Sequence, residues 1–108
     1  MKLTGYVLAV DPGREKTGIA ILSKESQLLM MDIVPTDSIE DELVAVLGQY
    51  PTVSHMICGN GTNHKVVGSI VKAVAVAQTK SFALVNEKYT TEEARRRYFE
   101  VHPPTGWR

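Results

Sequence analysis

The chain has 108 residues, of which 44% are hydrophobic and 22% charged, as expected for one soluble globular domain. Twelve Lys and Arg residues balance twelve Asp and Glu residues, which excludes a protein that binds nucleic acid or membranes through its overall charge. The single cysteine, Cys58, excludes an intramolecular disulfide and a cysteine-based zinc site, and it is typical of a reducing compartment.

The sequence also lacks the hydrophobic segments that membrane insertion or secretion would need. No stretch approaches the roughly 18 consecutive apolar residues of a membrane span. The apolar run near the N-terminus ends too early, at Asp11, to serve as a signal peptide. We therefore expect a cytoplasmic protein with no membrane partner.

The first half of the chain is predicted to form three strands and a helix. Short runs rich in β-branched and apolar residues, separated by turn-like segments, predict strands over residues 6–10, 17–22 and 28–34. An amphipathic helix is expected to begin at Ser38, because acidic residues fill its first turn and apolar residues recur three and four positions apart. Pro51 ends it.

The second half alternates strands and helices. We expect a strand over residues 54–58, a turn at GNGTN, a helix over residues 64–78 and a strand over residues 82–85. Thr90 and Glu93 have the spacing of a capping box, which predicts a last helix just after Lys88.

This order of elements predicts an α/β fold with a mixed five-stranded sheet. Consecutive strands with short connections pair antiparallel, whereas strands joined through a helix lie parallel with right-handed crossovers. The predicted strand order is 3-2-1-4-5. Ligands of such sheets bind beyond the carboxyl ends of the parallel strands. Those ends carry Asp11, the GNGT loop and the pair Asn86 and Glu87.

Three segments together resemble the YqgF family, a RuvC-like group of Holliday-junction resolvases that is also linked to maturation of ribosomal RNA. They are the D-x-G…G-x-A pattern that opens at Asp11, the glycine loop 59–61, and VNEKYTTEEA over residues 85–94. The resemblance implies a single ribonuclease H-like domain over residues 1–108, with helices on both faces of the sheet. The D-x-G opening is shared with actin-like and sugar-kinase ATPases, which need two such domains.

The resemblance also implies a metal site. The family's first metal-binding carboxylate falls on Asp11 and its second on Glu87, so these two residues are the expected catalytic and metal-binding residues, with Mg²⁺ or Mn²⁺ as a weakly bound cofactor. This chain departs from the family at Asn86, where members carry Asp. The sequence also ends before the family's last helix and the third carboxylate that this helix carries, so it is either a piece of a longer protein or a divergent member that has lost the chemistry.

Two functions remain open at this point. The first is a metal-dependent nuclease that hydrolyses phosphodiesters in branched DNA or structured RNA, and paired cuts in a junction would suggest a homodimer. The second is a catalytically impaired member that binds nucleic acid or acts as a scaffold. Asn86 and the missing carboxylate favour the second, because two-metal hydrolysis normally uses three or four carboxylates.

A set of loop residues at the predicted carboxyl ends could bind nucleic acid despite the neutral overall charge. The set comprises Gly13, Arg14, Lys16, Asn60, Gly61, Thr62, Lys65 and Lys88. A purely structural interpretation is also open for its glycines. Asp-Pro-Gly suits a type II turn in which Gly13 supplies a positive φ, and a strand-to-helix turn uses glycine with or without a phosphate.

Overall fold

The structure is a computed structural model that describes residues 5–23, 25 and 27–85. Its elements match the predicted order up to Val85. They are β1 (Tyr6–Asp11), β2 (Lys16–Leu22), β3 (Leu28–Pro35), a 3-10 helix (Thr36–Ser38), α1 (Ile39–Gln49), β4 (Val53–Gly59), α2 (His64–Ala77) and β5 (Ser81–Val85). The helix predicted after Lys88 lies outside the described residues. Neither α1 nor α2 has the length and apolar character of a membrane-spanning helix.

The predicted sheet is confirmed in order and in direction. The strands lie in the order β3-β2-β1-β4-β5. β2 pairs antiparallel with β1 and β3, whereas β4 pairs parallel with β1 and β5. The short connections on either side of β2 and the helical connections on either side of β4 produce this mixed arrangement.

The main core lies between one face of the sheet and the two described helices. Leu8 and Val10 of the central strand β1 are fully buried in this layer, as are Leu43 of α1 and Val71 of α2. α1 and α2 contact each other and cover the same face, as successive right-handed crossovers in one direction require. The expectation of helices on both faces of the sheet stays a prediction, because both described helices lie on this one face.

Candidate functional site

The strand ends of β1, β3, β4 and β5 lie along one border of the sheet, and the antiparallel strand β2 begins at the same border. This border consists of strand ends and is not an edge strand. We call this the site edge. Asp11 is the last residue of β1 and is half-buried at this edge. It pairs with Gly18 of β2, and the register of Val10 with Cys58 places Gly59 of β4 on its other side. Neither neighbouring strand therefore places a side chain beside the Asp11 carboxylate in its row of the sheet.

The charge of Asp11 is felt by the thiol of Cys58. Burial, and secondly the negative charge of Asp11, raise the pKa of Cys58 to about 11 from its ordinary value of 9.0. The fully buried thiol also contacts the carbonyl of Gly59 at 3.5 Å. A thiol held neutral in this way is neither a nucleophile nor a metal ligand at neutral pH. Cys58 therefore acts as a small core residue beside Val10, next to the end of β1.

The loop after Asp11 is held by a small network of hydrogen bonds. The carbonyl oxygen of Gly13 accepts hydrogen bonds from Thr36 Oγ1 and from Asn63 Nδ2, each at 3.0 Å. The N–H of Gly13 donates to Thr17 Oγ1 at 3.4 Å, and the Thr17 and Thr36 hydroxyls lie 2.8 Å apart. The network ties together the segments that follow β1, β3 and β4. No pattern in the sequence marks Thr17, Thr36 and Asn63 as partners of Gly13, apart from their positions near the ends of elements.

Gly13 is required by a close backbone approach rather than by a turn with positive φ. A Cβ atom at this position would lie 2.1 Å from the carbonyl oxygen of Lys16. No described glycine has a positive φ. The interpretation of Asp-Pro-Gly as a type II turn in which Gly13 supplies that φ is therefore wrong. The steric limit at Gly13 comes from the tight path of the chain between β1 and β2.

The N-terminus of α2 reaches the site edge with an electropositive first turn. Its N-cap residue, Asn63, is left-handed with φ 62° and directs its side chain to Gly13 instead of capping the helix. No acidic residue lies in the first turn. His64 Nδ1 donates to the carbonyl of Gly61 at 2.9 Å, and this fixes its ring against the loop. Both the helix dipole and Lys65 thus make this end of α2 attractive to anions.

The structure brings most of the predicted nucleic-acid-binding residues to the site edge. Arg14, Lys16, Asn60, Thr62 and Lys65 are exposed there, while Gly13 and Gly61 are half-buried. The Asn60 N–H donates to the carbonyl of Val85 at 3.0 Å, so the glycine loop is tied to the end of β5. Glu87 and Lys88 lie outside the described residues. Their placement near Asp11 stays a prediction.

The described residues offer Asp11 as the acidic ligand of a metal at this edge. They contain no group of three or more His, Cys, Asp or Glu side chains that could hold a metal ion. A carboxylate oxygen is a ligand type that suits Mg²⁺ or Mn²⁺. β1 and β5 are separated only by β4, which is about 10 Å for two strand spacings. Asp11 is thus the kind of oxygen ligand that a hydrated Mg²⁺ or Mn²⁺ ion takes, and a second ligand from the end of β5 would have to span this distance.

Comparisons with solved structures identify the fold as ribonuclease H-like. The RuvC structure from Thermus thermophilus has a TM-score of 0.61 and 14% identity, covering 89% of this chain and 78% of RuvC. YeaZ from Pseudomonas aeruginosa has a TM-score of 0.54 and 19% identity, covering 77% of this chain and 44% of YeaZ. A Bacteroides thetaiotaomicron protein with an actin-like ATPase fold has a TM-score of 0.61 and 11% identity, over 82% of this chain and 36% of its own.

These likenesses concern the fold alone, because each identity is far below what a shared activity would need. This chain spans less than half of YeaZ and of the actin-like protein, but more than three quarters of RuvC. No protein-family profile matches the sequence, and no curated protein matches it either.

Proposed function

We propose that the chain is a metal-dependent nuclease domain of the YqgF type that hydrolyses phosphodiesters in structured nucleic acid. The observation that carries this proposal is the position of Asp11, at the end of the central strand and between Gly18 and Gly59. Glycine on both neighbouring strands keeps the side chains of those strands out of the space beside the carboxylate, as binding of a metal ion and a phosphate requires. A carboxylate that served only a turn would not need that space.

In this proposal Asp11 and Glu87 hold the metal. Glu87 follows the end of β5 by two residues in the sequence, and β5 ends at the site edge. Mg²⁺ or Mn²⁺ held by these two residues would supply an activated water and would stabilise the leaving oxygen. Asp11 would bind the ion and orient it. Its place at the end of a hydrogen-bonded strand keeps the position of this residue fixed.

The substrate's phosphates are proposed to bind to Arg14 in the loop after β1, Lys16 at the start of β2 and Lys65 in the first turn of α2. Because all three adjoin the connecting loops, we call them together the basic loops. All three are exposed and come from two chain segments that meet at the site edge. The uncapped first turn of α2 adds backbone N–H groups that face the same way. Such contacts position a nucleic acid without reading its sequence. A neutral protein can thus bind a polyanion at one edge.

A second candidate is a binding or scaffold domain without catalysis. Two observations favour it: Asn86 stands where the family has Asp, and the described residues hold no cluster of three metal-binding side chains. It predicts nucleic-acid binding that does not depend on divalent metal. The two candidates therefore differ in their response to the ion.

The deciding experiment measures metal binding and cleavage together. Millimolar Mn²⁺ or Mg²⁺ should raise the melting temperature of the wild type, because the ion binds only the folded state. Asp11→Asn should abolish that rise and also the cleavage of a four-way DNA junction or an RNA hairpin. Glu15→Gln is the matched control, since it removes an exposed carboxylate from the neighbouring loop. Equal metal responses in wild type and Asp11→Asn would reject the metal site. Binding of the junction or the hairpin with neither a metal response nor cleavage would favour the binding domain.

A further inference from the structure

A groove runs along the outer side of α2, between this helix and the edge strand β5. Its volume is about 420 Å³. The helix side of the groove carries His64, Lys65, Ser69 and Lys72, and the strand side carries Phe82 and Leu84. The groove is thus polar and cationic on one wall and apolar on the other.

The two walls favour different parts of one ligand. Lys65 and Lys72 are exposed and two helical turns apart, about 10 Å along the axis. None of the described lining residues is acidic, so nothing on the described walls neutralises these lysines. On the other wall Leu84 is 52% exposed, and Phe82 is only partly buried against the core. A ligand with several anionic groups and flat apolar surfaces matches this arrangement.

The groove is continuous with the site edge. It begins at His64, in the first turn of α2 and next to the glycine loop, and extends to Lys72. Eight residues of helix correspond to about 12 Å. At the roughly 3.4 Å per nucleotide of a strand that keeps duplex stacking, that length accommodates up to about three nucleotides.

We propose that this groove binds a short unpaired stretch of nucleic acid that flanks the cleaved phosphodiester. Phosphates contact Lys65 and Lys72, and bases lie against Leu84 and Phe82, as in sites that combine a basic track with apolar stacking surfaces. The inference rests on the proposed function for its substrate class. Continuity with the site edge favours nucleic acid over an acidic peptide, which has the charge but no reason to begin at the first turn of α2 next to the glycine loop.

The test measures binding without catalysis. The full chain is titrated, in the absence of divalent metal, with a labelled blunt duplex and with the same duplex carrying a three-nucleotide overhang. The wild type should bind the overhang duplex several-fold more tightly. Lys72→Gln should remove that preference, reduce the salt slope for the overhang duplex by about 0.7, and leave the blunt duplex unaffected. Lys72→Arg should keep the preference.

Ala73→Glu is the matched control. It changes the net charge by the same amount on the adjacent exposed position of α2, outside the groove lining. If Ala73→Glu and Lys72→Gln lose affinity equally, or if the overhang gives no advantage, the groove is not the binding site. Displacement of the overhang duplex by a poly-glutamate peptide at lower concentration would assign the groove to an acidic peptide instead. An overhang preference that persists in a protein without metal response or cleavage would reject the nuclease and keep the groove. Absence of any nucleic-acid binding would reject both.

Discussion

Asn63 Nδ2 donates a hydrogen bond to the carbonyl of Gly13 at 3.0 Å, and this contact joins two loops that are 50 residues apart in the sequence. One loop follows the strand that carries Asp11, and the other leads into α2. The bond therefore couples the position of the candidate metal ligand to that of the electropositive helix end. Thr36 donates to the same carbonyl and fixes a third segment to it.

Substitutions at Asn63 should separate two contributions to the free energy of unfolding, that of the hydrogen bond and that of the left-handed backbone conformation. Asn63→Gly removes the bond but suits the φ of 62° and should lower the free energy of unfolding by about 1 kcal/mol. Asn63→Ala also loses the bond but keeps a Cβ in the left-handed region, so it should be about 1–2 kcal/mol less stable than Asn63→Gly. Urea unfolding of the three proteins measures both effects. Equal stability of the Gly and Ala variants would show that the left-handed conformation is not retained.

Gly13→Ala should be strongly destabilising because its Cβ would meet the Lys16 carbonyl, a backbone atom that cannot swing aside. We expect a loss of about 1–3 kcal/mol in the free energy of unfolding, the range for overpacking. Gly48→Ala is the matched control, since nothing lies within 4 Å of its added Cβ and Gly48 is in a helix. That variant should gain about 0.5–1 kcal/mol. A Gly13→Ala protein as stable as the wild type would contradict the tight path of this loop.

The sheet was predictable because its determinants are local. Strand runs, helix periodicity and the length of each connection lie in contiguous sequence, and crossover handedness supplies the rest, so the order 3-2-1-4-5 follows. The position of Asp11 at the end of β1 follows in the same way.

The details of the candidate site depend on contacts between distant segments. The bonds of Gly13 to Thr36 and Asn63 span 23 and 50 residues, and no local pattern marks them. Asn63 has the side chain of a helix cap but is used across the loop instead. The wrong expectation of a positive φ at Gly13 has the same origin, because its need for glycine depends on where Lys16 returns in space.

Removing the charge of the basic loops should weaken nucleic-acid binding and reduce its dependence on salt. The triple variant Arg14→Gln, Lys16→Gln, Lys65→Gln loses up to three phosphate contacts. Each contact accounts for roughly 0.7–0.9 in the slope of log K against log salt, so the slope should fall by roughly 2 to 3. Titration of a branched DNA or a structured RNA at several salt concentrations measures this change.

A charge-matched control distinguishes local contacts from the overall field. The control is the triple variant Ala45→Glu, Gln49→Glu, Gln78→Glu, in which all three positions are exposed and lie away from the site edge. It changes the net charge by the same amount. This control should keep most of the wild-type slope. If both triple variants show the same slope, the basic loops are ordinary solvated charges.

Cys58 should make the folded protein less stable at alkaline pH. Its pKa is 9.0 when ordinarily solvated and about 11 in the folded state, so between these values the unfolded chain loses a proton that the folded protein keeps. The unfolded state then binds fewer protons, and the free energy of unfolding falls as pH rises, by at most about 1.4 kcal/mol per pH unit. Below pH 9 this contribution to stability is fully present.

The free energy of unfolding in urea is measured for wild type and Cys58→Ala at pH 8, 9.5 and 10.5. The difference between the two proteins is compared, because tyrosines and lysines that titrate in the same range affect both. The wild type should lose stability more steeply than Cys58→Ala across this window. Asp11→Asn removes the second cause of the raised pKa of Cys58. The loss of stability with rising pH should therefore be smaller, and it should end at a lower pH. Parallel pH profiles for wild type and Cys58→Ala would contradict the buried neutral thiol. An unchanged profile in Asp11→Asn would mean that the carboxylate does not act on Cys58, and that its charge is directed away from the core at the end of β1.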